Sequence, residues 1–223
     1  AIAAYGLLRY IEALRDQQVQ MVTRPRHGDI EQPPFFFELL RALRDIGGHA
    51  TVDQVEFNGT PKYSENSAME TQLDAEMSGL IAPGANIHVF ASATNDDAGE
   101  LAMFTAILDD NRAQVVNYSW GGCETQLDPV HKTEMAQVFS RAVAQGVNIM
   151  VASGDNGSDS CGDGTIAADW PGASPDVVAV GGTTLTVGPD AQANEVAWSG
   201  SGGGISVLWD SPKWQSALGA PYV

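Results

Sequence analysis

Basic residues are scarce in this chain of 223 residues: 11 Lys and Arg stand against 28 Asp and Glu, giving a formal charge of −17 and a pI near 4.3. Binding a polyphosphate backbone needs clustered cations, so this composition argues against a nucleic-acid partner. The shortage is uneven. Residues 1–62 hold 8 acidic and 7 basic side chains, whereas residues 63–223 hold 20 acidic and only 4 basic ones. Such a surface suits an acidic medium, where protonation relieves self-repulsion, and suits high salt or plain solubility equally well. Long apolar runs are missing too: none reaches the roughly 18 residues that a spanning helix needs, so no transmembrane helix is expected.

Cysteine is almost absent. Cys123 and Cys161 are the only pair, which fits either one disulfide in an exported protein or two buried thiols. The four histidines, His27, His49, His88 and His131, form no metal-spaced pair, and H-E-x-x-H does not occur; a zinc enzyme is not expected. Ser201-Gly202-Gly203-Gly204 lacks the following helix and acidic partner of a dinucleotide fingerprint. The acids of Asp155–Asp163 alternate as in a calcium loop, but Ile166 stands where an EF-hand needs its bidentate glutamate. The opening Ala1-Ile2-Ala3-Ala4-Tyr5 has no basic n-region or cleavage site, so any signal or pro-segment is expected to have been removed already.

A chain of this length with 43% hydrophobic residues can bury a substantial core in one large domain. From about residue 69, strand-like and helical segments alternate, the pattern of a parallel α/β sheet. Strands are expected at 86–91, 113–119, 147–153 and 176–180, with helices at 67–82, 98–110 and 129–145. Gly121-Gly122, Gly154-Asp155-Asn156-Gly157 and Gly181-Gly182 end three of those strands. The Gly- and Ser-rich stretch 187–211 reads as a hairpin or loop excursion at one edge. Residues 1–62 show helical patterns at 5–18 and 35–46 around the loop-like Thr23–Gly28 and Gln32-Pro33-Pro34, and either complete the sheet or adjoin it. Of three Asn-x-Ser/Thr triplets, only Asn58-Gly59-Thr60 is expected to be a glycosylation acceptor.

Within the helix at 67–82, Glu70, Asp74, Met77 and Ile81 recur at i, i+4, i+7 and i+11, so two carboxylates share a face with apolar residues. Like charges one turn apart raise one pKa and let the pair share a proton, which makes a general base suited to acidic pH. Acids stabilising a helix N-terminus, or a solvated polar face, would read the same way in isolation. Two further stretches narrow the choice. Ser119-Trp120-Gly121-Gly122 and Ser153-Gly154-Asp155-Asn156-Gly157 both fall beyond carboxyl ends of parallel strands, where such sheets bind ligands.

In order along the chain stand E-T-Q-L-D, P-G-A-N-I, N-Y-S-W-G-G, A-S-G-D-N-G, W-P-G-A-S-P-D-V-V-A-V-G-G-T-T-L and G-G-G-I-S-V. This succession resembles the sedolisins, the serine-carboxyl peptidases, over about residues 65–214. The resemblance implies a subtilisin-like parallel sheet flanked by helices in a three-layer sandwich. In that family a glutamate replaces subtilisin's catalytic histidine, and an aspartate replaces its oxyanion-hole asparagine. Glu70 would then be the general base toward a nucleophilic serine and Asp74 its proton-sharing orienter. Asp155, when protonated, would donate to the developing oxyanion. Ser119, Trp120, Gly121 and Gly122, with Ser153 and Gly154, would hold an extended peptide by its backbone, with Trp120 bordering the pocket before the scissile bond. The resemblance also supports a Cys123–Cys161 bridge.

The implied reaction is acid-active endoproteolysis of polypeptides through an acyl-enzyme, in a secreted or otherwise acidic extracytoplasmic setting. Partners would be the substrate and a pro-segment or C-terminal remainder of the same protein, with neither nucleic acid nor membrane. The family's Gly-Thr-Ser is missing, since Gly182-Thr183-Thr184 and Gly59-Thr60-Pro61 differ from it. The serine is therefore expected beyond Val223, together with the family's calcium site, leaving no metal ligands in this chain; residues 1–62 match the family poorly. Two alternatives remain. One is a catalytically inactive, peptide-binding module. The other is an ordinary subtilisin-like hydrolase with structural carboxylates, against which the lack of histidine at 65–80 counts.

Overall fold

Short strands that are apolar on both faces can be buried only in a sheet covered on both sides, and this chain builds such a sheet. The computed structural model describes residues 19–23, 50–61, 65–189 and 192–218. Six parallel strands lie in the order β2-β3-β1-β4-β6-β8. They are β1 (Val19–Thr23), β2 (Thr51–Val55), β3 (Asn86–Ala91), β4 (Val115–Tyr118), β6 (Asn148–Ala152) and β8 (Val178–Val180). A two-residue ladder joins β5 (Gly122–Cys123) to β7 (Asp169–Trp170), and β9 (Thr183–Val187) forms a hairpin with β10 (Ala193–Ala197).

Three α-helices are described: α1 (Glu65–Ile81), α2 (Asp97–Asp110) and α3 (Pro129–Gln145). Their ends follow local chemistry. Asp96 caps α2 by accepting from Gly99 N, and Asn111 closes it in the left-handed region at φ 52°. Asp128 accepts from the amides of Val130 and His131, Pro129 opens α3, and Gly146 ends it at φ 76°. Among the described residues no helix is long and apolar enough to cross a membrane.

Strand alternation divides the interior into two layers. On one face, Ala75 of α1 and Ala82 just after it pack with Ile87, Val89, Val115 and Met150. On the other, Met103, Phe104, Ile107 and Leu108 of α2, with Met135 and Phe139 of α3, cover Phe90, Val116, Tyr118, Ile149 and Val151. The result is the helix–sheet–helix sandwich expected from the sequence. It also fixes which side chains of β4 look where: Val115 lies in the layer with α1, and Val116 and Tyr118 in the layer with α2 and α3.

The N-terminal stretch completes the sheet. Val19–Thr23 is an interior strand between β3 and β4, with Val19 opposite both Ile87 and Val115, so Thr23, read as loop, ends a strand. Its partners are far away in sequence, and nothing local in V-Q-M-V-T announces them. The helical patterns at 5–18 and 35–46 lie outside the described residues. The hairpin at the other end begins at Thr183 rather than 187, and residues after Ala197 form the loop excursion.

Candidate active site

Helix α1 brings both carboxylates of the sequence motif toward the end of β4. Asp74 is buried, 8% exposed, whereas Glu70 is half-buried. Ser119 Oγ donates to Asp74 Oδ1 at 2.9 Å, and Asp74 Oδ2 is buried with no hydrogen-bond partner among the described residues. Burial, followed by the negative charge of Glu70, raises the Asp74 pKa from 3.8 to about 7; the Ser119 hydrogen bond and the Asn117 side chain pull the other way. A neutral carboxyl needs a proton, and Oδ2 is the oxygen left to hold it. Asn117 is buried at 3% exposure, so it has no use as a glycosylation acceptor. Asn58 has another role: its amide donates to Ser92 Oγ at 2.9 Å and accepts from Ala93 N at 3.0 Å, tying the loop after β2 to the end of β3.

Asp155 is exposed in the loop that follows β6. Three backbone hydrogen bonds brace that loop, Gly202 N to Gly154 O at 2.8 Å, Gly157 N to Gly200 O at 3.1 Å and Gly203 N to Gly157 O at 3.1 Å. The triple glycine is therefore a clamp on the Asp155 loop. A Cβ on Gly202 would lie 1.9 Å from Ser153 O, and Gly154, at φ 101°, would put one 2.1 Å from Asp169 Oδ2.

Ser119 and Trp120 are half-buried, and Trp120 packs against the α2–α3 core layer. Gly121 and Gly122 are exposed, but Gly122 pairs with Trp170 in the β5–β7 ladder, so one edge of this stretch is occupied internally. Ser153 is half-buried at the end of β6. Cys123 and Cys161 form a disulfide that ties the loop after β4 to the loop after β6. The acids that suggested a calcium loop serve turns: Asp159 accepts from the amides of Asp163 and Gly164, both at 3.1 Å, and Asp163 from that of Thr165 at 2.9 Å. Among the described residues no three His, Cys, Asp or Glu side chains converge on a cation site. These residues do not fit a calcium centre.

Two carboxylates escaped the sequence reading. Asp169 faces Gly154; its pKa is raised by burial and by the charges of Asp155 and Glu124, against a hydrogen bond from Ser160 Oγ. Glu124 is fully buried. Its Oε1 accepts from Ala168 N at 3.0 Å and Val207 N at 2.9 Å, and its Oε2 from Ser206 Oγ at 2.5 Å. A signal existed for Asp169, an acid between the small residues Ala167-Ala168 and the Trp170-Pro171 turn. It becomes meaningful only once the chain returns beneath Gly154. Asp169, Ser153, Val177, Ile205, Trp209 and Trp214 line a cleft of about 610 Å³ beside these loops.

Comparison with known proteins agrees with this geometry. A sequence model of the subtilase family matches residues 62–216. Kumamolisin from Bacillus sp. (strain MN-32) is 38% identical over 161 residues, covering 68% of this chain and 29% of that protein. Sedolisin from Pseudomonas sp. (strain 101) is 32% identical over 190 residues, covering 75% of this chain and 32% of that protein. The solved structure of Pseudomonas sedolisin, a serine-carboxyl proteinase complexed with two molecules of pseudo-iodotyrostatin, superposes with a TM-score of 0.81 at 27% identity, over 93% of this chain and 62% of that one. The chain thus spans about a third of the length of the curated relatives it matches. With its parallel sheet, its carboxylate helix and these matches, the chain belongs to the subtilase family, in its sedolisin group of serine-carboxyl peptidases.

Proposed function

We propose that these residues form the acid–base part of an endopeptidase that cleaves polypeptides at acidic pH through an acyl-enzyme. The observation that carries this reading is the Asp74 carboxyl, buried one helical turn from Glu70 and pushed to about 7. Below that pH the pair holds a proton on Asp74 and leaves Glu70 as the base. A histidine in that place would be charged, and useless as a base, in the same range.

In this reading Glu70 takes the proton of a serine hydroxyl as the serine oxygen bonds to the peptide carbonyl carbon. Asp155, protonated, donates to the oxygen that becomes negative. Glu70 then returns its proton to the amine as the C–N bond breaks, and water repeats the sequence on the ester. Ser119 to Gly121, with Ser153 and Gly154, border the path of the peptide; Ser119 also holds Asp74. The nucleophile would come from residues outside these 223, as would any calcium ligands. The disulfide and the acidic surface suit export to an acidic, oxidising compartment.

The test is hydrolysis of a denatured protein by the full-length protein at about pH 4 and about pH 7, where general acid–base groups of this kind change state. Faster hydrolysis at the lower pH is expected, and its absence removes the proposal.

A further inference from the structure

Tyr118 directly precedes Ser119 and points into the opposite layer. There its hydroxyl donates to Glu100 Oε1 at 2.8 Å, and Glu100 Oε2 lies 2.7 Å from His131 Nε2. Exposures of 1% for Tyr118, 2% for Glu100 and 3% for His131 place the trio inside an otherwise apolar cluster. Each member comes from a different element, β4, α2 and α3, and the His131 ring also meets Trp170 at 6.3 Å, next to Asp169. No step in the peptidase mechanism uses these groups.

Buried polar groups are costly, and apolar residues of equal volume would fill the space at least as stably. What the hydrogen-bonded trio supplies is geometry: apolar contacts tolerate sliding, whereas hydrogen bonds in a low dielectric fix one position. Along a strand, one residue's displacement passes directly to the next through the planar peptide. The residue next to Tyr118 is Ser119, whose Oγ lies 2.9 Å from Asp74. We propose that Glu100 and His131 are positioning residues, which hold Tyr118 from behind the sheet and thereby set the Ser119 hydroxyl against Asp74. The proposal rests on the reading of Asp74 as the proton-holding partner of Glu70.

The described groups acting on Asp74 are Glu70 on its own helix, Asn117 on β4 and Ser119 just after it. Because the Ser119 hydrogen bond favours the anion, displacing it must move the Asp74 titration to higher pH. The experiment compares the full-length wild type with Tyr118→Phe, Ser119→Ala and the double variant. It follows the Asp74 carboxyl by ¹³C NMR titration, and kcat and KM on a peptide substrate.

Tyr118→Phe is expected to shift the midpoint upward in the direction Ser119→Ala does, with the double variant no further shifted than Ser119→Ala. It should lower kcat about tenfold with KM unchanged, the size of one lost hydrogen bond to a charged group. Glu100→Gln, which keeps an acceptor for the Tyr118 hydroxyl, should retain the wild-type midpoint. A wild-type midpoint in Tyr118→Phe, or shifts that add in the double variant, overturns the proposal. If Tyr118→Phe does not fold, His131→Leu reads the same linkage, with the same upward shift expected and an unchanged midpoint overturning it. The titration needs no turnover: a shift in a protein without peptidase activity refutes the catalytic reading and upholds the positioning one, and an unmoved midpoint in an active peptidase does the reverse.

Discussion

The Ser119 hydroxyl donates to Asp74 Oδ1 across 2.9 Å, joining the loop after β4 to the carboxylate helix α1. The family resemblance implies substrate binding for Ser119, and in the structure its side chain is hydrogen-bonded to Asp74. Movement of the loop after β4 would therefore be felt at the Asp74 carboxyl.

The pH dependence of stability follows from that proton. Asp74 titrates near 3.8 when unfolded and about 7 when folded, so the folded state binds the extra proton between those values. Its contribution to stability falls as pH rises through this window, by roughly 4 kcal/mol in all. Asp74→Asn removes this contribution. Urea unfolding at about pH 4 and about pH 7 should show a smaller loss with rising pH in the variant; equal losses would contradict the assignment.

Gly154 tests how tightly the Asp155 loop is packed. Gly154→Ala places a Cβ 2.1 Å from Asp169 Oδ2 at φ 101°, whereas Gly157→Ala, at φ 61°, meets nothing within 4 Å. The first should cost more than about 3 kcal/mol and the second only about 1 kcal/mol, the price of a left-handed residue. Denaturant midpoints measure both.

Glu124 anchors three donors from within the core, the amides of Ala168 and Val207 and the Ser206 hydroxyl. Glu124→Ala removes the buried acceptor that these three donors share and should destabilise by about 3 kcal/mol, whereas Glu124→Gln, which keeps an acceptor, should cost less than half of that. Thermal unfolding distinguishes the two, and equal losses would show that volume rather than hydrogen bonding is at stake.

The Cys123–Cys161 bridge closes a loop with a sequence separation of 38. Chain-entropy reasoning gives a loss of about 4 kcal/mol on its removal. The urea midpoint of Cys123→Ser/Cys161→Ser should fall accordingly; an unchanged midpoint would mean that the bridge does not constrain the unfolded chain.

Much of the fold was legible because the signals were local. Short apolar runs marked β3, β4 and β6, and helical spacing marked α1 to α3, with α3 matched at both ends, 129 and 145. β1 was not legible, since an interior parallel strand is specified by partners such as Ile87 and Val115 rather than by its own pattern. The site divided in the same way. Glu70 and Asp74 stood out by helical spacing, whereas Asp169, which lies against Gly154 only through the turn at Trp170-Pro171, had no periodic neighbour to mark it. The Ser201–Gly204 run read as part of a hairpin or loop excursion, and its use as a clamp on Gly154 and Gly157 depends on tertiary hydrogen bonds.

Glu70 is proposed here as the base of an acid peptidase, with Asp74 holding its proton. The pH–rate profile of peptide hydrolysis by the full-length protein, wild type against Glu70→Gln, tests it most directly. Activity is expected to decline toward neutral pH in the wild type and to fall at least about a hundredfold at acidic pH in the variant. A Glu70→Gln enzyme with near wild-type acid activity would contradict it.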